Sequence, residues 1–281
     1  MTIHRNLVKT LLQLARLKKI KPPKRLPKQI PAMHIEREYG SILKNSYLAD
    51  LTALLRARLL PQLENFAAQA SKIAKDAGED DLGGIFDAIY EEYLRQWPRN
   101  RVGQIARQEG RRTAAYQAAQ LNNQLRPALG ADIVGAEPWL DKAIEEFTRE
   151  NVSLIKSIPD NLLSDLEKEL SREIADGSRF EDLVTIVEDK INVAKNRAEL
   201  IARDQVSKFM GDLNRVRQQD LGIDKFEWNT LNDEVVRPEH AERQGKIYKW
   251  SDPPNGETPG EPVNCRCYAT PILPEFDDTT E

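Results

Sequence analysis

RAELIARDQVSKFMGDLNRVRQQDLG (197–222), followed two residues later by KFEWNT (225–230), decides the fold. In the first stretch Leu200, Ile201, Phe209, Leu213 and Val216 line one helical face, while Arg203, Asp204, Lys208, Asp212 and Arg215 face elsewhere. Gly222 stands where a helix takes its C-cap. In KFEWNT the helical period gives way to aromatic and β-favouring residues. KIYKW (246–250) and CRCYATPI (265–272) are two further short strand candidates, separated by the proline-rich turn PPNGETPGEP (253–262). The C-terminal part therefore reads as a small α+β module, a long helix plus short antiparallel strands.

Working back from it, residues 36–222 read as almost all helix, so the fold class is mainly α: a helical body carrying the small module. From 42 to 77, Leu43, Tyr47, Leu51, Leu54, Leu55 and Phe66 recur mostly at three and four residues, and Pro61 predicts a kink or split. Helical patterns over 85–97 and 103–125 are punctuated by Pro98, and the second is followed by Pro127 and Gly130. Trp139, Ala143, Ile144 and Phe147 share a face of a helix expected to end before Pro159. Helices over 160–176 and 180–191 are separated by DGSRF, with Gly177 suited to a C-cap. The expected domains are a basic, proline-rich arm (1–35), a helical domain (36–135), a C-terminal domain (136–275) with the α+β module from about 197, and an acidic tail (276–281).

The charge is uneven. The chain carries a formal net charge of −4, yet Arg5, Lys9, Arg16, Lys18, Lys19, Lys21, Lys24, Arg25 and Lys28 occupy an arm without an acidic residue. Such an arm is suited to nucleic acid or an acidic partner, or to docking on its own acidic body. Leu7, Leu11, Leu12, Leu14 and Leu17 suggest a short amphipathic helix before the prolines at 22, 23, 27 and 31, which read as an extended linker. A helix of this kind also suits a membrane surface or a transit peptide. No stretch approaches the roughly 18–20 apolar residues of a spanning helix, and no apolar run near the start ends in a cleavage site, so a protein without stable membrane insertion or a secretory signal is expected. The two cysteines, Cys265 and Cys267, are too close in sequence for an unstrained disulfide and point to a reducing compartment.

RAELIARDQ, the N-x-x-R of Asn214 and Arg217, LG before an aromatic strand, DEVVRPEH (233–240), GKIYKW (245–250), the proline-rich turn and NCRC (264–267) follow one another in an order that resembles the C-terminal domain of phage Mu F-like head-morphogenesis proteins. The resemblance spans residues 197–271 and, more weakly through NVSLIKSIP (151–159), reaches back to roughly residue 140. It implies a minor capsid protein of a tailed bacteriophage and no enzyme. Its implied partners are the portal, the scaffold, the major capsid protein and packaged double-stranded DNA, with no small-molecule substrate. Its implied place is the capsid interior near the portal vertex, after assembly in the host cytoplasm. The motif's polar cluster maps onto Arg203, Asp233, Arg237, His240, Asn264 and Arg266. Val235 stands where such proteins often have the first arginine of D-E-R-V-R, and Asp204-Gln205 where many have Thr-Glu.

No cofactor is called for except zinc. His240, Cys265 and Cys267 are the soft and borderline ligands, with Asp233 or Glu239 available as a fourth. One residue separates the cysteines, against about two to four in common zinc sites. In the alternative reading the cysteines alternate across a strand, one of them buried, while Arg266 and His240 satisfy nearby carbonyls or carboxylates. A nuclease would need His240 with Glu239 or Glu242 as base and Arg237 or Arg266 holding a phosphate, all in one pocket. A cysteine nucleophile paired with His240 has no recognisable orienting group. Trp228 and Trp250 are expected in the core rather than stacked on bases.

Overall fold

The computed structural model describes residues 7–19, 23, 26–70, 79–234 and 236–273, the side chains of 7, 69, 70 and 79–81 excepted. Its elements are α1 (Leu7–Leu17), α2 (Met33–Ile42), α3 (Leu48–Leu54), α4 (Leu60–Ala70), α5 (Glu79–Gln96), α6 (Arg99–Leu129), α7 (Leu140–Ala175), α8 (Phe180–Asp220), β1 (Lys225–Asn229), α9 (Pro238–Arg243), β2 (Ile247–Lys249) and β3 (Tyr268–Ile272). The mainly helical class with a small antiparallel sheet holds. The chain divides into two compact units, one built from 1–35, 109–145 and 204–281, the other from 36–108 and 146–203. The arm, the middle of the chain and the C-terminal module thus share one unit, a grouping that sequential boundaries do not convey.

Proline did less to end helices than its local chemistry predicts. Between α3 and α4 the chain makes a π-turn over Leu55–Leu59, in which the Leu60 N–H reaches back to the Leu55 carbonyl. That wider turn immediately precedes Pro61, where an ordinary helix would set the ring against a carbonyl, so the helical path continues. A second π-turn covers Leu43–Tyr47. Pro159 was expected to terminate its helix, but α7 runs through it to Ala175. Ile155, Ile158, Leu162, Leu163 and Leu166 are all buried around it. At roughly 1.5–3 kcal/mol each, their burial outweighs the ~3 kcal/mol that an internal proline costs. The stretches read separately over 180–191 and 197–222 are one helix, α8, continuous over 41 residues. Pro98 does separate α5 from α6, and Gly130, Gly177 and Gly222 take left-handed conformations just beyond α6, α7 and α8.

In the second unit Tyr39, Tyr47, Leu51, Leu55, Leu59, Leu63, Ile89 and Tyr93 are at most 2% exposed. The Tyr93 hydroxyl donates to the Tyr47 carbonyl, and Tyr39 donates to Asn151. Among the described residues the first unit shows two apolar cores. In one, Val8 and Leu12 of α1 pack with Leu121, Leu125, Leu129, Ile133, Leu221 and Ile223. The α1 helix is therefore part of a core. Lys9 and Arg16 of this helix, with Lys18, Lys19 and Lys28 beyond it, remain exposed, whereas Arg5, Lys21, Lys24 and Arg25 lie outside the described residues. Leu14 and Leu17 face solvent. The second core sits on the sheet, whose strand order is β2-β1-β3, antiparallel throughout, with Trp228 opposite Ala269. Phe226 and Trp228, two residues apart on β1, share its buried face and join Trp250, Cys265, Cys267 and Ala269. Both tryptophans are core residues, as expected.

The N-x-x-R pair is the polar centre of the first unit. Asn214 donates to Gln29 and to the Ala269 carbonyl, and accepts from Gln117 and Gln218. Gln218 in turn accepts from the Trp250 indole. Arg217, 2% exposed, makes paired 2.6 Å bonds to Glu137 and donates to the Ala114 carbonyl and Gln117. These two positions bind the arm, α6, α8 and β3 together.

Candidate metal centre

The site is assembled by one short helix and one tightly turned loop. Arg237 is extended and Pro238 opens α9, where its missing N–H costs nothing, and this sets His240 inward at 2% exposure. The loop that carries the cysteines is pressed onto α8. A Cβ on Gly211 would lie 2.5 Å from the Pro259 carbonyl oxygen, and one on Gly260 would lie 3.1 Å from the Ser207 carbonyl oxygen. The Asp204 carboxylate accepts the Asn264 N–H at 2.6 Å, and Asn264 takes a left-handed turn (φ 59°). Asp204, expected to face away from the core, is buried because it holds this turn.

Cys265 and Cys267 lie before β3 in this loop, so they do not alternate across a strand, and both are buried. Each Sγ lies 3.5 Å from His240 Nδ1. On the far side of the ring His240 Nε2 is 3.7 Å from a Glu257 carboxylate oxygen, which also accepts from Arg243 at 2.7 Å. The Trp228 ring meets the imidazole edge-on at 5.2 Å, and the Arg243 guanidinium lies 4.8 Å from the Trp228 centroid. The Trp228 indole N–H is buried and meets no oxygen or nitrogen acceptor.

The Cys267 thiol donates to Cys265 and is the main cause holding the Cys265 thiol down to about 5; burial opposes this, and the backbone N–H groups of Cys267 and Gly260 add to it. Cys267 is pushed up, first by its bond to Cys265 and then by burial, with the Trp228 indole working in the opposite direction. The donors around Cys265 thus suit a single sulfur anion.

Among the described residues His240, Cys265 and Cys267 form a group whose ligand atoms all lie within 4.8 Å of one another. Asp233, expected as a fourth ligand, instead pairs with Arg266 at 2.6 Å. Glu239 is exposed. Arg237 donates to the Val263 carbonyl, and Arg203 is half-buried on the part of α8 that belongs to the other unit. The groups a nuclease would need do not converge: Glu239 and Glu242 are exposed, His240 is buried, and both arginines are engaged separately. Val235 lies outside the described residues. Sequence reasoning missed Glu257, which faces the imidazole from the loop, and Arg243, which holds that carboxylate from the end of α9. It also missed Gly211 and Glu137, whose partners are 48 and 80 residues away.

The class defined by this architecture is a helical protein ending in a helix-and-sheet module closed by a histidine–cysteine cluster. Residues 164–270 match the family described as Phage Mu protein F like protein. A protein of Haemophilus influenzae (strain ATCC 51907 / DSM 11121 / KW20 / Rd), described as uncharacterized, is 31% identical over 189 residues. The match covers 66% of this chain and 42% of that relative, so the chain spans less than half of the relative's length. No solved structure matches it.

Proposed function

We propose that this protein is a minor head protein of a tailed bacteriophage. In this reading it joins the procapsid in low copy number through the portal or scaffold and influences DNA packaging or delivery. The observation that carries it is the match to the Mu F-like family over residues 164–270. The geometry supports an architectural use of that region, since Asn214, Arg217, Asp204, Asp233 and Arg266 all spend their polar groups on internal bonds. Among the described residues no helix is long and apolar enough to cross a membrane.

The basic arm is the DNA-facing or portal-facing element of this reading. The buried face of α1 fixes it to its own unit while Lys9, Lys18, Lys19 and Lys28 stay exposed. Neutralising them therefore tests binding without disturbing the core. The phage or prophage that encodes this protein should yield heads containing it, and its deletion should give heads defective in packaging or infection. Normal infectivity from heads that lack it would overturn the proposal. Replacing the four lysines by glutamine should reduce the salt dependence of DNA binding by about four in log–log slope if all four meet phosphates; an unchanged slope and unchanged incorporation into heads would remove the arm from the mechanism.

A further inference from the structure

We propose that His240 Nδ1 and the sulfurs of Cys265 and Cys267 hold one zinc ion that closes the C-terminal module, with a non-protein donor in the fourth position. The inference is independent of the head-protein reading, because it rests on the geometry of three side chains.

The distances carry the argument. With Zn–N near ~2.05 Å and Zn–S near ~2.3 Å, a tetrahedral angle sets the nitrogen about 3.5 Å from each sulfur. Both sulfurs are found 3.5 Å from the same nitrogen. A neutral imidazole nitrogen has one lone pair and accepts one S–H along it, so equal approach by two sulfurs is better explained by an ion on that axis than by hydrogen bonding. Two thiolates and an imidazole are a donor set that zinc prefers over harder ions such as magnesium or calcium.

The surroundings are those of a metal-bound cysteine and histidine. Glu257 sits 3.7 Å from Nε2, on the side of the ring away from the sulfurs, where its charge favours a proton on Nε2 and leaves Nδ1 to coordinate, and Arg243 holds that carboxylate in place. The buried Trp228 indole donor lies in the same core as Cys267. A single residue between the cysteines suffices because Asn264 turns the chain left-handed just before them, and the loop, not a strand, aims both sulfurs at α9.

The test uses the full-length protein, purified under reducing conditions, unfolded with a chelator and refolded with either zinc or cobalt(II). About one zinc per chain should survive dialysis. Cobalt should give sulfur-to-metal charge-transfer absorption and the intense visible bands of tetrahedral coordination. Chelation should lower the melting midpoint by roughly 10 °C, the shift expected when a ligand present at about a thousand times its Kd is removed. C265S with C267S should abolish the charge-transfer bands, H240A should weaken zinc binding at least 100-fold, and H240C should restore tight binding with a red-shifted cobalt spectrum. E257Q should weaken it by about 10-fold, whereas D233N should leave it unchanged. A folded wild-type protein that takes up no zinc and whose two thiols react freely would overturn the proposal. So would a Cys265–Cys267 disulfide in the protein freshly isolated from cells, or a bound metal that survives loss of both cysteines.

Discussion

Glu137→Ala should be among the most damaging single substitutions in the first unit. The carboxylate receives two 2.6 Å bonds from an arginine that is 2% exposed. Each charge-assisted bond contributes roughly 1.5–3 kcal/mol, and removing one partner of a buried pair costs about 3–5 kcal/mol, because the remaining ion is left without compensation. We expect a loss in that range, and a smaller one, about 1.5–3 kcal/mol, for Glu137→Gln, which keeps an acceptor but not the charge. Combining Glu137→Leu with Arg217→Met should recover only part of the loss. The apolar pair removes the stranded charge, but the Ala114 carbonyl and Gln117 lose their donor, at ~1–3 kcal/mol each. Urea denaturation followed by tryptophan fluorescence suits the measurement, since Trp139, Trp228 and Trp250 belong to this unit and Trp97 to the other. A change under about 1 kcal/mol for Glu137→Ala would refute the view that the N-x-x-R arginine is a structural hub.

Gly211→Ala should destabilise the module by about 1–3 kcal/mol, since its Cβ would meet backbone that has nowhere to go, whereas Gly84→Ala, with nothing within 4 Å, should stabilise by roughly 0.5–1 kcal/mol; thermal melts of the pair check both. Leu12→Ala should cost about 2–4 kcal/mol and speed amide exchange in α1, showing that the arm's helix is anchored; exchange as fast as in an isolated peptide would count against it. Burial pushes the Tyr47 and Tyr93 hydroxyls above their ordinary value of 10.0. The folded state therefore holds protons that the unfolded state gives up, so stability is intact below about pH 10 and falls above it, by up to ~2.7 kcal/mol per pH unit for the two groups. Tyrosinate absorbance should rise together with unfolding, and Tyr47→Phe should shallow the dependence.

Much of this fold was legible in the sequence, and the failures have identifiable causes. Apolar periodicity located the helices, and aromatic clusters located the three strands, because both signals report burial directly. Proline was over-read: at Pro159 the apolar residues on either side outweigh a local penalty, and at Pro61 a π-turn avoids it. The ligand types of the candidate site were legible, but their convergence was not. It depends on a left-handed Asn264, on a glycine crossing between Gly211 and Pro259, and on Asp204 capping a turn 60 residues away. Asp233 looked like a ligand by proximity in sequence, and Arg266 proved the nearer partner. Glu257 gave no signal, because its role is defined only by which side of the imidazole it faces.

The composition of the first unit from three separated stretches also has a kinetic meaning. Gln29 meets Asn214 across 185 residues, and the partners of Val8 and Leu12 include Leu221 and Ile223. At roughly 5–20 residues per second, a ribosome needs on the order of ten to forty seconds to make the chain between Gln29 and Asn214. For that interval the amphipathic α1 has lost part of its intended cover, and it exposes leucines and lysines together to whatever is nearby. The second unit can close once residue 203 has emerged. Part of the core around α1 is thus completed only after every residue of the second unit has been made.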